Sequence, residues 1–441
     1  MSDSPDRAPA SSEARPAPSP RAVALVVVVA ALGYFVDIFD LLLFALVRKA
    51  SLQEVMADQL VGKSPQEVDA MLASAGIWLD NILQTTGLLV GGLAWGIIAD
   101  RYGRLKVLFG SILCYSLANL ANAFVHDTTT YGVLRFIAGF GLAGELGAGI
   151  TLVAELVGKE RRGLATTFVA AVGILGAVAG FFVTELVPSW RWAFAVGGIL
   201  GLLLLVLRIG VVESGMFLNA ERAHVSHRGA FWLLFWPRER LVRYASTVLI
   251  AVPIWFVVGT LVKYCDRIMP SLGLPMEEKP SPAKAIMWCY IGLALGDLAS
   301  GLFSQWRKSR RGAIRVFHVL TVVGMALYFT VGAQSQVAFY AVVTFIGFAT
   351  GYWAVFVTVA AEQFGTNLRG TAATTAPNVV RWSAAWTGGA WLWLMGDWGS
   401  PFSLPAWQAA LLVGVVVMPL AILATFGLRE SYGTDLDFNE D

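Results

Sequence analysis

Three carboxylates stand inside long apolar runs of this sequence, where charged side chains are rare. Asp37 and Asp40 are three residues apart, so a helix would place both on one face. Glu145 lies near the middle of another apolar run. Carboxyl groups in such surroundings often form proton relays, and neighbouring carboxyl groups titrate as a coupled pair. We therefore predict that these three residues bind and release protons; the alternatives are a structural pair with Arg135 and, for Glu145, a permanently protonated packing residue.

Two arginines and a further aspartate also lie in apolar runs and could contact a substrate. Arg135 is expected at about the depth of Asp40, so a salt bridge between them is geometrically reasonable. Arg381 and Asp297 are expected near the centres of their runs, so either they pair or Arg381 receives an anionic substrate. Polar and aromatic side chains that could line a small-molecule site complete the predicted substrate-binding set: Tyr34, Asn378 and Trp382.

Membrane-spanning helices must position these residues, because 57% of the 441 residues are hydrophobic and only 14% are charged. The apolar residues come in runs of roughly 20, the length that crosses about 30 Å of hydrocarbon. The sequence predicts an all-α membrane protein with twelve transmembrane helices. Their predicted positions are 22–47, 76–99, 105–125, 131–155, 164–187, 193–212, 243–264, 285–304, 314–333, 337–361, 371–395 and 406–428.

An internal repeat divides the chain into two halves. Ala154-Glu155 is followed by Arg162-Gly163, and the same pattern recurs 207 residues later as Ala361-Glu362 and Arg369-Gly370. Parallel repeats of six spans are typical of carriers in which one half rocks against the other. The predicted division is a disordered cytoplasmic tail (1–20), a first six-helix half (21–214), a cytoplasmic linker (215–242), a second six-helix half (243–430) and a second cytoplasmic tail (431–441).

Basic residues concentrate in alternate loops, which predicts the orientation of the chain. The loop with Arg101 and Arg104 is one of them, and the segment from Arg222 to Arg243 is another. We predict a multi-pass protein of the cell (inner) membrane with both termini in the cytoplasm.

The loop between the second and third predicted spans reads Gly-Ile-Ile-Ala-Asp-Arg-Tyr-Gly-Arg-Leu-Lys over residues 96–106. It resembles the signature loop of the major facilitator superfamily. Further similarities are the stretch from Arg135 to Gly149, the Trp190-Arg191 pair and Glu213-Ser214, so the resemblance covers almost the whole chain. It is greatest to the sugar-porter and metabolite–proton-symporter branches, and it implies the major facilitator fold.

The resemblance also implies a cytoplasmic latch, in which Asp100 and Arg104 hold the start of span eleven in one conformation only. The second copy departs from the pattern, because Gln305 stands where the repeat would place the aspartate and no glycine occupies its turn. Any latch on that side is expected to be weaker. The alternative is a basic turn that only sets topology. The predicted latch residues are Gly96, Asp100, Arg101, Gly103, Arg104, Glu155, Arg162, Glu362 and Arg369.

Several other kinds of protein are disfavoured by the sequence. Residues 139–144 match the letters of a dinucleotide-binding loop but lie inside a predicted span, where small residues serve helix packing. The three cysteines show no paired spacing, so no metal or cofactor is expected. A formal charge of +2 does not favour nucleic acid. No catalytic set appears among the 4 histidines, so an enzyme is not expected.

The predicted function is proton-coupled secondary active transport of a small organic solute by alternating access, with a carboxylate-bearing metabolite favoured. An uncoupled facilitator or a substrate sensor of the same fold is one alternative. A sugar or zwitterion symporter of the proline or betaine type is another. The expected partners are the substrate, protons and the lipid bilayer, and the protein is expected to be a monomer.

Overall fold

The computed structural model describes residues 20–102, 104–156, 162–211, 231–273 and 279–433. Within these ranges, side chains are described except at 20–23, 99–102, 104–106, 146–156, 162–164, 209–211, 231, 233, 366–367 and 369–370. Throughout the described ranges the regular structure is helical, which confirms the predicted all-α class.

Twelve long helical elements follow one another along the described chain, numbered α1 to α12. Four of them consist of consecutive segments. Their bounds are α1 Pro20–Val55; α2 Pro65–Gly76, Ile77–Gln84 and Thr85–Tyr102; α3 Arg104–Asn122; α4 Thr128–Leu156; α5 Arg162–Ile174 and Gly176–Leu186; α6 Trp190–Val211; α7 Arg238–Leu249, Val252–Phe256 and Val257–Val262; α8 Pro282–Arg307; α9 Arg310–Thr330; α10 Gln336–Ala349 and Trp353–Glu362; α11 Thr366–Leu394; and α12 Ala406–Ala424. Short helical turns lie at Ala57–Leu60, Phe231–Leu234, Cys265–Ile268, Pro270–Leu272 and Asp397–Gly399.

Most of these helices have the length and composition of membrane spans. Among the described residues, 9 are long and apolar enough to cross a bilayer, namely α1, α2, α5 to α10 and α12. The α3 helix contributes a shorter apolar stretch, Val107–Asn122. The α4 and α11 helices, which carry the buried Arg135 and Arg381, are not among these nine.

Small residues bring the helices close together. Gly139 of α4 lies against the backbone of α2, while Gly141 and Gly144 lie against α3. In the second half, Gly292 of α8 and Gly347 of α10 each face the backbone of the other helix. A side chain at any of these glycines would collide with a neighbour. The glycine pattern at 139–144 therefore serves helix packing, as the sequence predicts.

The two halves meet along two pairs of helices, α2 with α11 and α5 with α8. Because α1–α6 and α7–α12 each contain six helices, the start of α1 and the end of α12 lie on the same side of the bundle. We call that side the termini end and the opposite side the far end.

Three of the helices are irregular. The α2 helix contains a π-helical segment near its middle, Ile77–Gln84, and the α7 helix ends in one, Val257–Val262. The α10 helix breaks at Thr350–Tyr352 and restarts at Trp353. Such irregularities often mark functional sites, because they free backbone groups and redirect side chains.

Candidate substrate and proton site

A buried ion pair joins the two halves at the centre of the bundle. Arg381 of α11 donates from Nη2 to Oδ2 of Asp37 on α1, at 3.4 Å, and both side chains are 0% exposed. The guanidinium lies 5.7 Å from the ring centroid of Trp353 on α10. Its Nη1 is 3.5 Å from Oδ1 of Asn378, one turn earlier on α11. The structure therefore brings together three predicted residues from α1 and α11.

Of the two alternatives for Arg381, pairing with Asp297 is not found in the structure. Asp297 of α8 instead accepts a hydrogen bond from the backbone N–H of Ala354 at 3.0 Å. Ala354 lies in the first turn of the second α10 segment, where backbone N–H groups lack helical partners and the helix dipole favours negative charge. The break in α10 thus supplies a partner for Asp297, and Arg381 pairs with Asp37.

The salt bridge expected between Arg135 and Asp40 is also absent. Arg135 of α4 donates from Nη2 to Oδ1 of Asn119 on α3, at 2.6 Å, and stacks 4.7 Å from the ring centroid of Phe194. Both carboxylate oxygens of Asp40 lack a hydrogen-bond partner among the described residues. Asp40 instead lies against Gly197 of α6. Nε and Nη1 of Arg135 also lack hydrogen-bond partners among the described residues.

Glu145 of α4 forms an ion pair within the first half. Arg208 of α6 donates from Nη1 to Glu145 Oε2 at 3.1 Å, and its Nη2 contacts Oε1. The two side chains are 2% and 7% exposed. Gly33 of α1 lies directly over the pair, where an added Cβ would collide with both. Arg208 was missed in the sequence because an arginine near a span end usually reaches toward the interface.

The remaining predicted binding residues lie around the central pair. Tyr34 of α1 packs its ring against Gly173 of α5. Asn378 donates to the carbonyl of Ala143 on α4 at 3.2 Å, and Trp382 donates to Thr86 on α2 at 3.3 Å. Asn378 and Trp382 therefore link the second half to the first.

Several groups at the centre retain unused polar atoms. Oδ1 of Asp37, Nε of Arg381 and Nε1 of Trp353 lack hydrogen-bond partners among the described residues. All three side chains are at least nine-tenths buried. A donor and an acceptor left free in this way can bind a small polar ligand.

Two charged residues toward the far end, Asp80 and Lys263, were not predicted as site residues. Asp80 lies inside the predicted span 76–99, and Lys263 near the end of the span 243–264. The criterion that selected Asp37, an intramembrane charge, would also have selected Asp80.

The predicted latch is only partly within the described residues. Gly96 is buried in α2 and faces Thr374 of α11. Glu362 pairs with Arg310 at 3.3 Å and accepts from Ser431 at 2.7 Å. The other predicted latch residues lie outside the described side chains: Asp100, Arg101, Gly103, Arg104, Glu155, Arg162 and Arg369.

The second copy of the loop has its own geometry. Gln305 accepts a hydrogen bond from Tyr432 at 3.1 Å. Lys308 adopts a left-handed conformation with φ 50°, the conformation for which glycine is the usual residue. The second copy of the loop thus forms its turn with a lysine in the left-handed conformation, although it has no glycine there.

Known proteins resemble this chain in sequence and in fold. The model of the Major Facilitator Superfamily matches residues 23–387. A putative niacin/nicotinamide transporter of Bacillus subtilis is 26% identical over 67% of this chain and 72% of its own length. The gentisate transporter of Corynebacterium glutamicum is 26% identical over 65% of each chain. The 3-(3-hydroxy-phenyl)propionate transporter of Escherichia coli is 28% identical over 68% of this chain and 72% of its own.

One solved structure shares the fold over nearly the full length. A proton:xylose symporter bound to 6-bromo-6-deoxy-D-glucose superposes with a TM-score of 0.68, covering 95% of this chain and 98% of that one. Its sequence identity is 17%, so the similarity concerns the fold.

Proposed function

Because this chain belongs to the major facilitator superfamily, a family of multi-pass membrane transporters, we propose that it carries a small organic carboxylate together with protons. Membership of that family confirms the predicted fold and the prediction of a transporter rather than an enzyme. The observation that carries the finer proposal is the ion pair of Asp37 and Arg381, which is fully buried and joins the two halves.

The pair suggests how proton and substrate binding are linked. A proton on Asp37 removes the negative charge and leaves the Arg381 guanidinium without a counter-charge. A substrate carboxylate can then take the place of Asp37, with two N–H groups of the arginine directed at its two oxygens. If Asp37 carried no proton, a substrate anion would have to displace the Asp37 carboxylate from Arg381. That displacement costs more free energy than binding to an arginine that has lost its counter-charge. Substrate and proton therefore enter together.

Aromatic carboxylates are the proposed substrate class. Gentisate and 3-(3-hydroxyphenyl)propionate, named for two relatives, each combine a carboxylate with a hydroxylated ring. Trp353 and Tyr34 flank Arg381 and Asp37, so an aromatic ring would pack beside the bound carboxylate. The free Nε1 of Trp353 could donate to a ring hydroxyl. Binding of a sugar or a zwitterion in preference to these acids would contradict the proposal.

The test is the substitution Asp37→Asn, assayed in proteoliposomes. An asparagine cannot release a proton during the cycle, so accumulation driven by a pH gradient should be lost. Exchange of labelled for unlabelled substrate needs only binding and rocking, and should persist. The matched control is Asp69→Asn, at a carboxylate that is 42% exposed and paired with Lys279; it should retain both activities. Full gradient-driven accumulation by Asp37→Asn would contradict proton transfer at this residue.

Asp40 is the further proposed proton carrier. Glu145 was also predicted as one, but its ion pair with Arg208 inside the first half favours a structural role. The carboxylate of Asp40 is buried with no hydrogen-bond partner among the described residues, which leaves both oxygens available to a proton. Asp40→Asn should reduce gradient-driven uptake while exchange persists. Equal loss of both would instead assign Asp40 to packing.

An uncoupled facilitator or a sensor of the same fold is distinguished by proton movement. When substrate is added outside vesicles that contain the protein, the pH of the medium should rise if protons enter with the substrate. It should stay unchanged if they do not. Candidate substrates can first be found by thermal-shift measurements, because a ligand that binds the folded protein raises its melting temperature.

The proposed latch and orientation have separate tests. Asp100→Asn should impair transport, whereas Gln305→Ala should change it little. A cysteine at Ser226 should resist an impermeant thiol reagent in whole cells if the linker is cytoplasmic. Equal impairment by the two substitutions, or labelling of the cysteine from outside, would contradict these proposals.

A further inference from the structure

Four buried charged residues lie at the far end of the bundle, away from the central pair. They are Arg48 near the end of α1, Asp80 in the π-helical segment of α2, Lys263 just after α7, and Asp266 in the short helix that follows. Their side chains are between 4% and 7% exposed. We call these four residues the far-end quartet.

The ion pairs of the quartet cross between the two halves. Arg48 of the first half lies 3.3 Å from Oδ2 of Asp266 in the second half. Lys263 of the second half contacts Oδ2 of Asp80 in the first. Lys49 also approaches Asp266, at 2.9 Å, but its side chain is 41% exposed. Each half thus contributes one acid and one base to the quartet.

A second pairing of the same charges is available inside each half. The aliphatic part of Arg48 lies against Gly76 of α2, where an added Cβ would be 3.3 Å from its Cγ. Gly76 is about one helical turn before Asp80, so Arg48 already runs beside the helix that carries that carboxylate. In the second half, Lys263 and Asp266 are three residues apart in the chain. Both halves can therefore neutralise their own charges when they separate.

The surrounding backbone is irregular on both sides of this contact. The π-helical segments of α2 and α7 touch here, and Asn81 donates across the halves to the carbonyl of Gly259 at 3.0 Å. Arg48 stacks on Tyr264, with its Cζ 4.3 Å from the ring centroid. The four charges thus lie among packed side chains and are almost fully buried.

We propose that the far-end quartet consists of gate residues for transport, which close the far end by crossed ion pairs and open it by exchanging partners within each half. The physical reason is the cost of leaving a buried charge alone, which partner exchange avoids in both states. The proposal rests on alternating access in the proposed function, but not on the identity of the substrate.

Charge-swap variants distinguish ion pairing across the two halves from ion pairing within each half. Arg48→Asp with Asp266→Arg preserves opposite charges across the halves but places two like charges on each half. Arg48→Asp with Asp80→Arg preserves opposite charges within the first half but opposes like charges across the contact. Adding Lys263→Asp and Asp266→Lys to the second variant restores both pairings.

The readout is the rate at which an impermeant thiol reagent, applied from the far side, labels a cysteine at Thr260. Thr260 is 0% exposed and lies in the π-helical segment of α7. The protein is otherwise made free of cysteine by serine at Cys114, Cys265 and Cys289. Labelling requires far-end opening and no substrate, so an error in the proposed substrate leaves this result unchanged.

The expected results run in opposite directions. The swap across the halves should slow labelling by about tenfold or more, an effect equal to ~1.4 kcal/mol. The swap within the first half should accelerate it by a similar factor, and the fourfold variant should label at close to the wild-type rate. Wild-type rates for both double swaps, or acceleration by both, would overturn the proposal.

A milder pair of variants covers the case in which a swap does not fold. Arg48→Gln with Asp266→Asn removes one crossed pair and also the partner that Asp80 and Lys263 would each need within its own half. Asp80 and Lys263 then stay paired only while the far end is closed, so labelling should slow several-fold. The control is Lys279→Gln with Asp69→Asn, which removes a pair that also joins the halves but is 58% and 42% exposed. Exposed pairs contribute little, so labelling should stay within about twofold of wild type. Equal rates for these two variants would overturn the proposal.

Discussion

Two buried ion pairs lie against the same helix, α1, and differ in what they join. Asp37 pairs with Arg381 across the two halves, whereas Glu145 and Arg208 both belong to the first half. Gly33, four residues before Asp37, lies over the second pair. One helix thus contacts a pair that rocking would break and a pair that rocking would leave intact.

The difference indicates that burial alone does not identify a group that titrates during transport. A charge paired within a rigid half keeps its partner through the cycle, so its surroundings change little. A charge paired across the moving interface loses and regains its partner in every cycle, and its affinity for a proton changes with it. The pair between the halves is therefore the better candidate for coupling.

The largest expected effect is on stability, from Glu145→Gln. The substitution leaves Arg208 buried without a counter-charge, which costs about 3–5 kcal/mol. Melting temperature and folded yield should fall, and gradient-driven uptake and exchange should fall together. The double variant with Arg208→Gln should recover part of the stability. Normal stability with loss of gradient-driven uptake alone would make Glu145 a proton carrier and remove the distinction between the pairs.

A smaller and more selective effect is expected from replacing each arginine by lysine. Arg381→Lys should raise the substrate concentration for half-maximal uptake about tenfold, because lysine cannot direct two N–H groups at one carboxylate. Arg208→Lys should leave that concentration within about threefold and reduce the stability by about 1 kcal/mol, through the loss of one hydrogen bond. Uptake kinetics and thermal unfolding measure the two quantities. Equal shifts in substrate affinity would contradict a separate role for Arg381.

An effect of comparable size is expected at the glycine that lies over the pair of Glu145 and Arg208. Gly33→Ala should reduce stability by about 1–3 kcal/mol, because the new methyl group collides with Glu145 and Arg208. Gly96→Ala is the matched control in another helix, since the nearest atom to its added Cβ would be a methyl carbon of Thr374 at 4.0 Å. It should be neutral or stabilising by up to about 1 kcal/mol. Thermal unfolding distinguishes the two, and an unchanged Gly33→Ala would show that the pair is not tightly enclosed.

The sequence by itself determined the architecture and most of the buried charged residues described here. Apolar runs of membrane-crossing length require helices, because backbone groups in lipid must be hydrogen-bonded within the segment. The signature loop at residues 96–106 indicated the family, which the family match confirms. Rarity alone selected Asp37, Glu145 and Arg381, since a charge inside a bilayer is costly and is kept for a purpose.

Only the tertiary structure decided which charge meets which. Asp297 contacts the start of the second α10 segment because α10 breaks at Thr350–Tyr352. Asp297 therefore has a partner of its own, and Arg381 pairs with Asp37. The partner of Glu145 is Arg208, 63 residues away in the chain and on another helix of the same half. Pairing depends on which helix faces are opposed and at what depth, and these follow from packing between helices far apart in sequence. Local spacing specifies the face on which a charge lies, but packing decides what stands opposite that face.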